Sequence, residues 1–264
     1  DRDLSGWGTA NEELALELQV LTDGAINEHE IPGLQVYVRT SEGETWFGAS
    51  GTTDWDRRTL VNREHLFRIA SATKPFTAAV ILSLVDDGSI SLDDPLALWF
   101  PGFPNSSRIT IEHMLRHQSG IPEVVAGNVP VLLRSTMNDE LRWEPIEIID
   151  TSASRDPLFE PGSRHEYCNT NYVFLGLIAE QVTGQSFAAL LRSRVLEPLS
   201  LNDSYFVPYE PAPDRIVTGW DREWIPMTSL YPHEPEATSW STMAHAAGAM
   251  VSTAACITCS QMRA

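Results

Sequence analysis

A short apolar segment that runs directly into an apolar helical pattern constrains this fold more than any other feature. Leu66-Phe67-Arg68-Ile69-Ala70 indicates a buried approach. Apolar residues then recur at helical spacing from Phe76 until Asp86-Asp87-Gly88 ends the pattern. Ser71 and Lys74 lie between the two, at the predicted helix start and one turn apart, so their side chains share one face.

The pairing of Ser71 with Lys74 has a specific chemistry. Lys74 is the only lysine among the 18 basic residues. A serine hydroxyl becomes a nucleophile when a nearby base takes its proton, and a lysine is such a base only as a neutral amine. A helix start and burial both lower the pKa of a lysine, whereas arginine keeps its proton in proteins. The alternative is a helix-capping serine followed by a lysine that reaches solvent.

The composition bounds the class of protein. At 264 residues with 42% hydrophobic content, the chain is long enough for one large domain or two small ones. Its formal net charge of −18 argues against nucleic acid and anionic membrane surfaces as partners, because phosphates are repelled. No apolar run reaches the roughly 18 residues that a membrane span requires. The sequence begins with no signal-peptide pattern.

Two groups of residues have spacings close to those of metal or redox motifs. Cys256 and Cys259 have no second pair to complete a zinc site, and with Cys168 they are too few for a disulfide framework. We expect them to be small helix residues, with a bridge or a metal as the alternative. His113 and His117 share a helix face without a third ligand nearby, so structural hydrogen bonding is favoured over zinc. No metal or cofactor is predicted.

The rest of the chain divides by its patterns into a sheet part and a helical part. Apolar residues at helical spacing predict a helix over 11–29, and two alternating runs before residue 50 predict a hairpin. From residue 93 to about 215, helical patterns alternate with loops rich in proline and glycine. We therefore predict a sheet part formed by 1–92 and 216–264 and an all-helical insertion at 93–215.

A second polar cluster lies just before an apolar helical pattern at 171–183. A tyrosine beside a cationic lysine loses its proton more easily, so Tyr167 has the chemistry to relay a proton from Ser71 to a leaving group. Asn169 offers a donor and an acceptor for substrate or for Lys74. The alternative is that Asn169 caps the following helix and Tyr167 only packs. No Gly-x-Ser-x-Gly pattern and no glycine-rich phosphate loop is present in the sequence.

Taken in order, these segments resemble the penicillin-recognising serine hydrolases. That family includes D-alanyl-D-alanine carboxypeptidases, cephalosporinase-type serine β-lactamases, D-amino-acid amidases and related esterases. The resemblance runs from about residue 12 to the end of the chain. It is carried by His65-Leu-Phe-Arg-Ile-Ala-Ser-Ala-Thr-Lys74, Met114-Leu-Arg-His-Gln-Ser-Gly120, Tyr167-Cys-Asn-Thr-Asn-Tyr172, Glu197-Pro-Leu-Ser-Leu201 and Ala247-Gly-Ala-Met-Val-Ser-Thr253.

The resemblance implies a fold, an activity and a set of site residues. The implied fold is α+β, an antiparallel sheet flanked by helices with an all-helical insertion. Ser71 is implied as the acylated nucleophile, with Lys74 as its activating partner. Tyr167 would be general base and acid, and Asn169 a substrate-binding group; Cys168 stands where relatives usually carry serine. The implied substrate is a D-alanyl peptide, a D-amino-acid amide, a β-lactam or a small ester, and the implied location is secreted or periplasmic.

One motif of the family is not found. Its third motif, Lys-Thr-Gly or His-x-Gly, lies on a strand downstream of the segment matching 247–253, and the sequence ends at Ala264. His245-Ala-Ala-Gly248 has the wrong spacing. Three interpretations follow: a fragment of an active enzyme without its C-terminal strands, a sheet completed by an oligomer or partner chain, or a catalytically impaired relative that binds peptides as a scaffold. We favour the first, because so open a core is unstable alone.

Overall fold

The structure, a computed structural model, has an α+β architecture in which helices cover two small antiparallel sheets, as predicted. It describes residues 8–29, 31–53, 59–125, 130–131, 141–217 and 238–257. Its helices are α1 (Glu12–Glu28), α2 (Lys74–Asp86), α3 (Ile111–Leu115), α4 (Pro145–Ala153), α5 (Thr170–Thr183), α6 (Phe187–Leu191), α7 (Thr238–Ala244) and α8 (Ala254–Ile257). Its strands are β1 (Gly33–Arg39), β2 (Thr45–Gly51), β3 (Phe67–Arg68), β4 (Ser204–Phe206) and β5 (Met250–Ser252). Single 3₁₀ turns form at Ala70–Thr73, Leu96–Leu98 and His245–Ala247, and a π turn extends α6 over Arg192–Leu196.

β1 and β2 form the hairpin that the alternating pattern predicts. The two strands pair antiparallel along their whole length. The last residue of β2, Gly51, has a φ of 77°, and a Cβ there would lie 2.1 Å from the carbonyl oxygen of Pro32. Only glycine fits this close approach. α1, which the sequence also predicts, packs against β2.

β3, β5 and β4 form the second sheet, with β5 in the centre and both pairings antiparallel. The sequence patterns miss β4 and β5. β4 lies inside 93–215, so the prediction that this range is all helical is wrong there. β5 lies within 242–262, where the many small residues predict no strand but a connecting segment that leads into a final helix. Three residues are too few for a period to stand out in the sequence. β5 is in addition buried at every position, so it has no polar face to alternate with an apolar one.

α2 and α5 form the centre of the hydrophobic core. Their fully buried apolar side chains are Val80, Ile81, Leu84, Val173, Phe174, Leu175, Ile178 and Ala179. Phe174 meets Phe100 and Phe103 edge to face, with ring centroids 5.0 and 4.9 Å apart. Apart from Ala179, each such side chain contributes about 1.5–3 kcal/mol by leaving water. This packing fixes the start of α2 beside the loop that precedes α5, and both carry predicted site residues.

The described residues test several of the sequence-based predictions only in part. The domain boundaries stay a prediction. The many prolines and tryptophans of 208–240 predict an ordered long loop or lid. Most of that region lies outside the described residues, as does Cys259, while Cys256 lies on α8. Within the described ranges, no single helix is long and apolar enough to span a membrane. α5 and Phe187–Leu196 meet the length and composition requirement only together, across a bend of 87°.

Candidate active site

Ser71 lies in the 3₁₀ turn that connects β3 to α2. The turn starts at Ala70, whose φ of 44° is a left-handed conformation that costs a residue with a Cβ about 1–2 kcal/mol. Ser71 is exposed, whereas Lys74, the first residue of α2, is buried. The turn therefore presents the serine hydroxyl to solvent and keeps the lysine amine beneath it.

The Lys74 amine lies among three oxygens. Its Nζ is 3.1 Å from Ser71 Oγ, 2.7 Å from Asn169 Oδ1 and 2.8 Å from the carbonyl oxygen of Ala247. The two shorter contacts are to oxygens that can only accept a hydrogen bond. A neutral amine has two hydrogens and one lone pair, and its two hydrogens can be donated to these two oxygens as hydrogen bonds. That lone pair is left for the hydroxyl proton of Ser71, which is the geometry that a general base requires.

Burial lowers the pKa of Lys74 from its usual value. Three neighbours, Tyr167, Glu123 and Cys168, act in the opposite direction and favour a positive charge on the amine. Burial is the largest of these influences. The net effect is that the neutral form of the amine is more favoured in this site than it is for a lysine in water.

Tyr167 reaches Ser71 from the loop before α5. Its hydroxyl donates to Ser71 Oγ at 2.8 Å, and Lys74 Nζ lies 4.9 Å from the centre of its ring. Tyr167 is 48% exposed, so a substrate can approach the hydroxyl from solvent. The alternative that Tyr167 only packs does not fit this exposure. Ser71 therefore has an amine and a phenol within hydrogen-bond distance.

Asn169 is the N-cap residue of α5 by position, but its side chain makes no capping hydrogen bond. Its Oδ1 accepts from Lys74 instead, and its backbone N–H donates to the carboxylate of Glu123. The capping alternative is therefore wrong, and the amide orients the lysine amine. A substrate-binding role for Asn169 stays a prediction. Sequence analysis does not single out Glu123, because no spacing links it to the motif residues.

The acceptor that Ala247 supplies is also missed by sequence analysis. It is a backbone carbonyl, which no residue pattern marks. The carbonyl belongs to the turn His245–Ala247, whose Ala246 oxygen accepts from the Thr77 hydroxyl at 2.6 Å. Thr77 is fully buried on α2, one turn after Lys74. One face of α2 thus holds this turn at two successive carbonyls.

The two histidines of α3 and its C-terminal end make hydrogen bonds within the protein. Nδ1 of His113 accepts from the backbone N–H of Thr110 at 3.3 Å, in a capping box at the helix start. Nδ1 of His117 accepts from the backbone N–H of Cys168 at 3.1 Å. In the part of the chain that the structure describes, no group of three or more His, Cys, Asp or Glu side chains is placed to hold a metal ion.

Relatives of this chain match it along most of its length. The family described as Beta-lactamase matches residues 17–257. Esterase EstB from Burkholderia gladioli is 33% identical over 208 residues, which cover 75% of this chain and 53% of the relative. Penicillin-binding protein 4 from Amycolatopsis lactamdurans is 31% identical over 223 residues, 80% of this chain and 55% of the relative.

A solved structure also matches this chain along most of its length. The crystal structure of D-amino acid amidase from Ochrobactrum anthropi SV3, complexed with D-phenylalanine, has a TM-score of 0.77 and 31% sequence identity. The match covers 92% of this chain and 68% of that chain. The present chain spans about half the length of the curated relatives it matches.

Proposed function

Because the chain belongs to the Beta-lactamase family, we propose that it is a serine hydrolase that forms an acyl-enzyme at Ser71. The observation that carries this proposal is the position of Ser71 Oγ, 3.1 Å from Lys74 Nζ and 2.8 Å from the Tyr167 hydroxyl. Nucleophile, base and proton donor are within reach of one another. Ser71 and Tyr167 are open to solvent while the base is buried, as an attack on an external carbonyl requires.

In the proposed acylation, Lys74 takes the hydroxyl proton of Ser71 as Oγ bonds to the carbonyl carbon of an amide or ester. The carbonyl π pair moves onto its oxygen. The positive end of the α2 dipole favours this oxyanion. When the tetrahedral intermediate collapses, the bond to the leaving group breaks and Tyr167 protonates that group. The Lys74 ammonium then returns a proton to the phenolate.

In the proposed deacylation, water takes the place of the Ser71 hydroxyl. The neutral amine of Lys74 accepts a proton from water as its oxygen attacks the acyl carbon. The bond from that carbon to Ser71 Oγ then breaks, and the serine oxygen recovers a proton from the ammonium. The acid product leaves, and both Ser71 and Lys74 regain their starting protonation states.

We propose an amide or ester as the substrate class, which comprises D-alanyl peptides, D-amino-acid amides, β-lactams and small esters. Named relatives support each side of this class, since one is an esterase and another a D-amino acid amidase. The phenol beside Ser71 supports amides in particular. An amine is a poor leaving group unless it receives a proton, and Tyr167 is placed to give one.

A panel of four substrates tests the proposal: p-nitrophenyl acetate, D-phenylalanine amide, an N-acyl-D-alanyl-D-alanine and a chromogenic cephalosporin. We expect turnover of at least one, with an initial burst of one product per chain, and a covalent adduct mapped to Ser71 by mass spectrometry. Ser71→Ala should abolish both. The control Ser107→Ala changes an exposed loop serine and should abolish neither. Binding without burst or adduct would instead support the peptide-binding scaffold.

A further inference from the structure

His117 contacts the chain on both sides of Tyr167. Its carbonyl oxygen accepts from the backbone N–H of Glu166 at 2.9 Å, and its Nδ1 accepts from the backbone N–H of Cys168 at 3.1 Å. Its imidazole ring also lies against the phenol ring, with centroids 4.5 Å apart and an interplanar angle of 32°. A single residue therefore holds Tyr167 through both neighbouring amides and through the side chain itself.

His117 is fixed by its own surroundings. It follows α3 in a left-handed conformation with a φ of 55°. Its ring is 5.2 Å from that of Tyr172, whose hydroxyl donates to the carbonyl of Leu115 at 3.1 Å. The next carbonyl oxygen, that of Gln118, accepts a hydrogen bond at 2.8 Å from the backbone N–H of Gly162, which lies in the loop that leads to Tyr167. The end of α3 is therefore a firm support for this loop.

The imidazole accepts the Cys168 amide only in its neutral form. Since Nδ1 is the acceptor, the proton of the neutral ring is on Nε2. Burial is the main cause that lowers the pKa of His117 to about 4, and the charges of Lys74 and His165 act in the same direction. The ring thus remains an acceptor at neutral pH.

We propose that His117 is a positioning residue that holds the Tyr167 hydroxyl at 2.8 Å from Ser71 Oγ. The inference rests on the proposed acyl transfer. A tyrosine that is 48% exposed can turn toward solvent, and the three contacts with His117 oppose that movement. A displacement of about 1 Å in a reacting group can cost on the order of 10²-fold in rate. His117 therefore acts on the proton transfer rather than on substrate binding.

Two substitutions at His117 separate positioning from general support. His117→Ala removes both the ring and the acceptor for the Cys168 amide. His117→Asn lacks the ring but keeps a hydrogen-bond acceptor, because the Oδ1 of asparagine is bonded to Cγ as Nδ1 of histidine is. Asparagine also tolerates the positive φ of this position. His113→Asn is the matched control, because it changes the other histidine of the pair, which contacts Thr110. Acylation rate, KM and thermal unfolding are measured on all four proteins.

We expect His117→Ala to acylate about 10–100-fold more slowly with a KM within about threefold of the unsubstituted protein. His117→Asn should recover part of the rate, and His113→Asn should acylate normally. An acylation rate for His117→Ala within twofold of the unsubstituted protein overturns the inference. So does an equal loss in both His117 variants that follows their loss of thermal stability. If the unsubstituted protein shows neither turnover of any substrate in the panel nor an adduct on Ser71, the proposed function itself fails and the positioning role fails with it.

Discussion

The Lys74 amine is defined by the two oxygens that accept its hydrogens. Asn169 Oδ1 and the Ala247 carbonyl lie 2.7 and 2.8 Å from Nζ, closer than Ser71 Oγ at 3.1 Å. Neither acceptor carries a full charge, so the pair orients the amine without requiring an ammonium. A full negative charge at either position would favour the ammonium instead and would remove the base.

Asn169→Asp tests this dependence on charge. A carboxylate in place of the amide would stabilise the ammonium and raise the pKa of Lys74. In a plot of acylation rate against pH, we expect the rise on the acid side to move to higher pH by about one to three units. Asn169→Gln, which stays neutral, is the matched control and should leave the rise in place. A rise that stays fixed or moves to lower pH in Asn169→Asp would contradict the account.

Single residues of the site differ in how far sequence alone predicts them. Ser71 and Lys74 are predictable because helical spacing places them on one face within four residues. Tyr167 and Asn169 are 96 and 95 residues from their partners, so only the order of motifs in the resembling family connects them to Ser71 and Lys74. The Ala247 carbonyl could not be predicted, because every residue has such a group.

The turn His245–Ala247 lies against α5 at a glycine. A Cβ at Gly176 would be 2.7 Å from the Cβ of Ala246 and 3.0 Å from Cε1 of His245. The same turn accepts hydrogen bonds from Thr77 and Lys74. The close approach of α5 therefore helps to set the position of the carbonyl that orients the amine.

Gly176→Ala should push this turn away from α5. We expect a loss of about 1–3 kcal/mol in the free energy of unfolding, together with slower acylation. Gly24→Ala is the matched control on α1, because a Cβ there meets nothing within 4 Å. That control should raise stability by about 0.5–1 kcal/mol through helix propensity. Denaturant unfolding of both variants checks the two signs, and a Gly176→Ala protein that is as stable and active as its parent would contradict the packing argument.

α1 shows how an element can be predicted while its buried face is not. The helix forms where apolar spacing predicts it, but Ala15, Gln19 and Thr22 are its buried residues. Leu16, Val20 and Leu21 are 57, 63 and 68% exposed. Gln19 is buried because its side-chain amide donates to the carbonyl of Ala49 in β2 at 3.3 Å. Hydrophobicity counts cannot anticipate such a polar contact between two elements.

Two histidines, His245 in the core and the half-buried His117, link the stability of the whole molecule to pH. Burial lowers the pKa of His245 to about 3 and that of His117 to about 4, from the ordinary value of 6.5. Between these values and 6.5, the unfolded chain binds more protons than the folded one. The free energy of unfolding therefore falls as pH falls below about 6.5, and this part of the stability is fully present above it.

His245→Asn should flatten this dependence. We expect the loss in the free energy of unfolding between pH 7 and 5 to shrink by up to about 2 kcal/mol, because one neutral buried imidazole is removed. Asparagine also suits the φ of 40° at this position. His29→Asn, at the exposed end of α1, is the control for a histidine outside the core. Urea unfolding at several pH values gives the curves, and parallel curves for His245→Asn and its parent would contradict this assignment.

The overall architecture is predicted from the sequence through its long elements and the family resemblance. α2, α5 and the first hairpin follow from periodicity, because they are long enough to show a period. β4 and β5 do not follow, since three residues each show none and their pairing joins segments about 46 residues apart. The site sits where these two kinds of element meet, so its full set of contacts needs the folded chain.

The most direct measurement is the rate of Ser71 acylation against pH, in the unsubstituted protein and in Lys74→Arg, followed by intact mass in a single turnover of a chromogenic ester. The unsubstituted protein should acylate faster as pH rises until the amine is fully neutral, with the adduct on Ser71. Lys74→Arg, which keeps its charge, should be slower by about 10²–10⁴-fold at the pH where the parent amine is neutral. Acylation of Ser71 in Lys74→Arg within a few-fold of the parent rate would contradict the claim that a neutral Lys74 amine activates Ser71.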